Sequence, residues 1–141
     1  CDVALAADTA QFSTPGVHIG LFCSTPMVAL SRNVTDKHAM EMLLTGDMTS
    51  AERAAEIGLV NRVAAPEELQ EKTMEMARKI ASKSSMTLAT GKSAYYAQRE
   101  MGLSDAYDYA SGVMVNNMLA LDAEEGIGAF LEKRAPLWQD A

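Results

Sequence analysis

Three consecutive residues of this 141-residue chain, Cys23, Ser24 and Thr25, carry side chains suited to nucleophilic chemistry. A thiol or hydroxyl attacks an electrophilic carbon efficiently when a base within hydrogen-bond reach takes its proton. The nearest imidazole in sequence is His18. Two readings stand. In one, Cys23 or Ser24 faces an electrophile with His18 as its base. In the other, Ser24 or Thr25 caps a helix that begins there, and His18, ahead of Ile19-Gly20 at a strand end, is a satisfied structural histidine. His38 reads as a surface helix residue. Near the far end, Lys133 and Arg134 form a cationic pair. Such a pair suits the negative end of a helix. Trp138, just past Pro136, reads as a packing anchor for the tail. Two cysteines, Cys1 and Cys23, are too few for a disulfide framework, and no Cys/His cluster has zinc-site spacing. No metal is expected, and a reducing interior is the natural setting.

These residues need elements to position them. Val3 to Ala7 and Gln11 to Phe12 read as short strands, with Pro15-Gly16 as a turn. Ser24 caps a helix with Pro26 in its first turn and Met27, Leu30 and Val34 at helical spacing. Thr35 or Asp36 restarts a helix that Gly46 ends, with Met40, Leu43 and Leu44 facing inward. Thr49 with Glu52 forms a capping box, Gly58 takes the left-handed conformation that ends a helix, and Leu59 to Val63 alternates like a strand. Pro66 opens a long helix with Leu69, Thr73, Met76 and Ile80 on one stripe. After a polar break at Ser82 to Ser85, a helix runs from about Met86 to Glu100. Gly102 ends it and Ser104 caps the next, whose apolar face is Tyr107, Ala110, Met114, Met118 and Leu121. Asp122 with Glu125 is a second capping box. It opens a last helix whose inner side carries Ile127, Phe130 and Leu131.

Composition bounds the partners. A chain of this length is by default one domain with a real core. Its apolar fraction of 48% and charged fraction of 22% are those of an ordinary globular protein. The net charge of −7 argues against a nucleic acid or an anionic membrane surface, both of which need a basic stripe. No apolar run approaches the roughly 20 residues that cross a bilayer, and the first residues lack the basic-then-apolar order of a signal peptide. The ten methionines sit mostly in helical patterns, as Met40, Met74, Met76, Met114 and Met118 do, and read as core gap-fillers.

Three segments resemble a known family. Thr45 to Val63, T-G-D-M-T-S-A-E-R-A-A-E-I-G-L-V-N-R-V, resembles the L-T-G-x-x-x-S-A-x-x-A-x-x-x-G-L-V-x-x-V segment of the crotonase superfamily, the enoyl-CoA hydratases and isomerases. Cys1 to Phe12 resembles its C-D-x-x-x-A-x-x-x-A-x-F strand pair, and Ala129 to Pro136 its C-terminal A-F-x-E-K-R-x-P. The three occur in order and with family-like spacing. Gly20 to Pro26, G-L-F-C-S-T-P, resembles one particular branch.

The resemblance implies an α/β chain, the C-terminal part of a crotonase fold with short strands followed mostly by helices. It implies that residues 1–63 end the core and that residues 64–141 form a helical cover and oligomerisation region. A complete family chain is about twice as long, so the CoA-binding loops and oxyanion-hole residues are expected before Cys1. The implied chemistry is that of fatty-acid metabolism. An acyl-CoA thioester is held as substrate, with no other cofactor, and the enolate that forms is stabilised by a lyase or isomerase. The family's second catalytic glutamate falls at Gly16, where no proton can be carried. Its Gly-rich P-G-x-G-G turn is replaced by Cys23-Ser24-Thr25-Pro26-Met27. Cys23 and Ser24 are therefore the catalytic candidates, facing the thioester. Phe130 and Lys133 are the substrate-binding candidates, on the adenine and phosphates of a neighbour's CoA. The chain alone is expected to be inactive. The assembly implied is a homotrimer or a dimer of trimers, in a bacterial cytoplasm or, alternatively, the mitochondrial matrix. The other expectation is a non-catalytic CoA-binding or self-associating family member.

Overall fold

The computed structural model describes residues 1–140, which fall into two compact units, Cys1–Met76 and residues 77–140. The division falls inside a helix. The architecture is α/β, with few short strands and many helices.

In the first unit, β1 (Leu5–Ala7) pairs in parallel with β4 (Arg62–Ala64), and β2 (Gln11–Phe12) pairs antiparallel with β3 (Thr49–Ser50). The β1–β4 ladder is extended by Asn61 N–H to the Ala4 carbonyl and by Ala4 N–H to the Asn61 Oδ1, both 2.8 Å. A 3₁₀ segment, Pro15–Ile19, follows β2 and ends at Gly20 in the left-handed region, φ 76°. Three helices follow: α1 (Ser24–Leu30), α2 (Asp36–Thr45) and α3 (Ala51–Glu56). Leu30, Val34, Ala39, Met42 and Leu43 form one buried cluster, and Ala6, Ala51, Ala54 and Val60 form a second. Phe12 and Leu59 pack against both and join them. On α2 the buried stripe is Ala39, Met42 and Leu43. Met40 and Leu44, expected inward, are exposed.

Gly46 and Gly58 do take left-handed conformations, φ 69° and 83°. The cap of α3 is shifted by one residue from the expected box. Thr49 and Ser50 are both held extended in β3 against Phe12 and Gln11, so α3 starts at Ala51 and the cap is Ser50, which accepts the Arg53 N–H at 3.2 Å.

Helix α4 (Pro66–Ala81) spans the division, and its stripe is only half-buried at Leu69 and Met76, with Thr73 and Ile80 exposed. The second unit holds α5 (Ser85–Gln98), α6 (Leu103–Met118) and α7 (Leu121–Glu132). Helix α5 starts within the polar stretch rather than after it, because the buried Ser84 caps it by accepting the Thr87 N–H at 3.0 Å. Gly102, not Ser104, is the N-cap of α6. Asp122 and Glu125 do not form a capping box. Ala120 is the N-cap of α7, and both carboxylates turn to the tail instead. Ile127, Phe130 and Leu131 are exposed, while Asp122 and Ala129 are the buried residues of α7. Of the methionines read as core fillers, Met40, Met74, Met114 and Met118 are exposed, and Met42 is the one in the buried core.

Candidate functional site

The nucleophilic run sits where the 3₁₀ segment gives way to α1. Cys23 is the N-cap residue of α1, and neither its side chain nor another caps the helix. Its half-buried Sγ accepts the Gly16 N–H at 3.3 Å. Ser24 is the first residue of α1 and is not its cap. Its exposed hydroxyl donates to the Phe22 carbonyl at 3.2 Å. The two readings of this run are both altered. Ser24 does not cap, and the bond His18 makes is to neither Cys23 nor Ser24: its Nε2–H donates to the Thr45 carbonyl at 2.9 Å. Among the described residues, the hydrogen bonds of Cys23, Ser24 and His18 go to three different backbone groups, so no nucleophile–base pair is assembled.

Gly16 lies inside this loop. Its carbonyl accepts the Leu21 N–H at 2.9 Å, which folds the loop back on itself. A Cβ at position 16 would stand 2.8 Å from Cys23 Sγ and 2.8 Å from the Leu21 carbonyl oxygen. Both are far inside the roughly 3.5–4.0 Å of a comfortable contact. The site therefore has no room for a side chain at 16 unless the loop moves. Sequence reasoning found Gly16 and Cys23 but not that they touch.

Ser13 and Thr14 are functional neighbours that the sequence reading missed. Their hydroxyls donate to the Gly46 and Met42 carbonyls, each at 2.8 Å. The Ser-Thr pair beside Pro15 was a signal of local hydroxyl bonding, but its partners lie far along the chain.

In the second unit, Phe130 is 81% exposed and lines an open groove of about 560 Å³ with Leu88, Met118, Ile127, Leu131 and Trp138. Lys133 is the C-cap of α7 in the left-handed conformation, φ 55°. Arg134 is not simply a cation at a helix end. Its fork holds Glu125 at 2.6 and 2.9 Å, and its Nε holds Glu132 at 2.6 Å. A bidentate pair of this kind is geometrically specific. The Arg134 guanidinium, helped by the Leu137 N–H, holds the Glu125 carboxyl down to about 2. The tail is strapped back by further bonds. Buried Asp122 accepts the Gln139 and Asp140 N–H groups at 2.6 and 3.1 Å. Trp138 Nε1–H donates to the Ser82 carbonyl at 2.9 Å, and its ring lies over Gly126. Ser85 holds Asp140 below its ordinary value, the Ser85 backbone N–H reaching its Oδ1 at 2.8 Å.

Among the described residues, no group of three His, Cys, Asp or Glu side chains comes together as a metal site, and no helix is long and apolar enough to cross a membrane.

Known proteins share this fold. The enoyl-CoA hydratase/isomerase family profile matches residues 1–141. Human enoyl-CoA hydratase domain-containing protein 3, mitochondrial, is 51% identical over 138 residues, which is 98% of this chain and 46% of that protein. The carnitinyl-CoA dehydratase of Salmonella typhi is 35% identical over 98% of this chain and 55% of its own length. The crystal structure of an enoyl-CoA hydratase from Mycobacterium smegmatis superposes with a TM-score of 0.93 at 48% identity, covering 98% of this chain and 54% of that one. The chain thus spans about half the length of the curated relatives it matches. With the profile running from end to end and the fold shared at this identity, the chain belongs to the enoyl-CoA hydratase/isomerase family, the crotonases.

Proposed function

We propose that the protein handles an acyl-CoA thioester by stabilising an enolate, and does so without a carboxylate at position 16. The observation that carries this reading is a family loop in which Cys23 Sγ and the Leu21 carbonyl fill the space a side chain at 16 would need. Donors placed where charge develops on the thioester oxygen make the enolate accessible. The group that moves the proton then selects hydration, isomerisation or another step. With glycine at 16, a lyase, isomerase or thioesterase step using another group is favoured over ordinary hydration. Cys23 and Ser24 are the candidates on this chain, each acting on substrate without His18. Phe130 and Lys133 are assigned to the adenine and phosphates of a neighbouring subunit's CoA, within a homotrimer or dimer of trimers. The exposed ring of Phe130 and the position of Lys133 at the helix end support that assignment. A bacterial cytoplasm fits the mycobacterial relative, and the mitochondrial matrix fits the human relative whose name carries that compartment.

The test is an acyl-CoA turnover screen on the 141-residue chain and on a form extended by the family's preceding half. The chain alone should be inactive, since each missing oxyanion donor costs about 3–4 kcal/mol of transition-state stabilisation. The extended form should turn over an acyl-CoA while hydrating crotonyl-CoA poorly. Crotonyl-CoA hydration at ordinary family rates would overturn the reading. A second reading, a non-catalytic CoA-binding or self-associating protein, is favoured by the absence of a nucleophile–base pair among the described residues. It predicts no turnover of any acyl-CoA. A purely structural module would also bind no CoA.

A further inference from the structure

We propose that His18, with Ser13 and Thr14, is a positioning residue that locks the loop bearing Gly16 and Cys23 onto the C-terminus of α2. A helix leaves its last carbonyls without intrahelical partners. Here the Thr45 and Gly46 carbonyls receive His18 Nε2–H and Ser13 Oγ–H at 2.9 and 2.8 Å, and the Met42 carbonyl, which already accepts the Gly46 N–H, takes Thr14 Oγ1–H as a second donor at 2.8 Å. The three donors all come from one short loop and the three acceptors all from one helix end. Thr14 is buried, so its bond is made out of water. The clamp grips the chain on both sides of Gly16, two residues before it at Thr14 and two after it at His18. Between those grips the Gly16 N–H meets Cys23 Sγ.

Gly46 makes the fit possible. It is buried at φ 69°, where a side chain is strained, and a Cβ there would stand 2.9 Å from both His18 Nε2 and Val17 Cγ2. The imidazole is not a bystander. Its proton is committed to α2, and it holds the backbone that decides what stands at position 16. The meaning of this clamp for turnover rests on the loop being part of an acyl-CoA site. The clamp itself is readable without turnover.

The experiment uses the 141-residue chain carrying Cys1→Ser, which leaves Cys23 as its one thiol. Native alkylation by N-ethylmaleimide, followed by mass spectrometry, reports how often the loop opens around Sγ. His18→Ala removes one hydrogen bond and should raise the alkylation rate about fivefold through local opening. His18→Gln keeps a side-chain donor and should stay near the parental rate at matched folded fraction. Equal rates for parent and His18→Ala, or equal acceleration by both variants, would overturn the proposal. Should His18→Ala not fold, Ser13→Ala carries the same expectation and the same refutation.

Discussion

Gly16→Ala asks whether the loop is closed as tightly as its geometry says. Two effects oppose each other. Alanine removes backbone freedom from the unfolded chain, which stabilises by about 0.4–1 kcal/mol where the native conformation accepts it. Gly16 is not at positive φ, so the backbone alone would accept alanine. The added methyl, however, would stand 2.8 Å from Cys23 Sγ and from the Leu21 carbonyl oxygen. Forcing an extra carbon into filled space costs about 1–3 kcal/mol. The upper part of that range applies, because one obstacle is backbone and is tied to Gly16 by the 2.9 Å bond from the Leu21 N–H. The steric term wins, for a net loss of about 1–2 kcal/mol. For a chain of this size that is a fall in melting temperature of about 3–8 °C. Cys23→Ala in the Gly16→Ala background removes one obstacle and leaves the other. A double-mutant cycle read by urea denaturation should therefore show about 0.5–1 kcal/mol of coupling with a residual cost. Gly16→Glu should be at least as destabilising and should not raise hydration in the extended form. A Gly16→Ala variant as stable as its parent would refute the steric reasoning outright.

Three other outcomes are expected. Leu43→Ala, at the most buried large apolar position, should cost about 2–5 kcal/mol in denaturant unfolding. Lys133→Glu should weaken CoA binding by the assembled, extended protein in low-salt calorimetry while leaving melting nearly unchanged; an unchanged dissociation constant would remove Lys133 from the ligand site. Acid should loosen the tail: Glu125 is held below its ordinary 4.5 down to about 2, so its contribution is complete above pH 4.5 and is lost as pH falls toward 2. Trp138 fluorescence should follow that window, and Glu125→Gln should abolish the Glu125 part of the change.

What was legible in the sequence was what local pattern and spacing control. The strands at Leu5 and Gln11, the left-handed turns at Gly46 and Gly58 and the order of the helices all follow from residues near at hand. The misplaced features share one cause, competition from a distant partner. Thr49 and Ser50 are both good caps by type, and their pairing with Phe12 and Gln11 holds both extended, so that the helix starts at Ala51 and Ser50 is the cap. Asp122 and Glu125 satisfy the capping-box pattern, yet backbone donors of the tail, at Gln139, Asp140 and Leu137, claim both carboxylates. Periodicity marked apolar faces on α6 and α7 but could not say which face would be covered, and Phe130 stands exposed.

The same cause links two departures from the family pattern that looked separate. The resemblance puts the family's second glutamate at Gly16, and its Gly-rich turn seven residues on, where a run begins with Cys23. In sequence these are two losses. In space they are one rearrangement, because the Cys23 thiol and the Leu21 carbonyl lie against the face of Gly16 from which a side chain would grow. A glutamate at 16 and this loop path cannot coexist. Restoring the carboxyl alone therefore adds strain rather than a proton donor. The chemistry proposed for this loop therefore rests on groups it already presents, Cys23 and Ser24 among them.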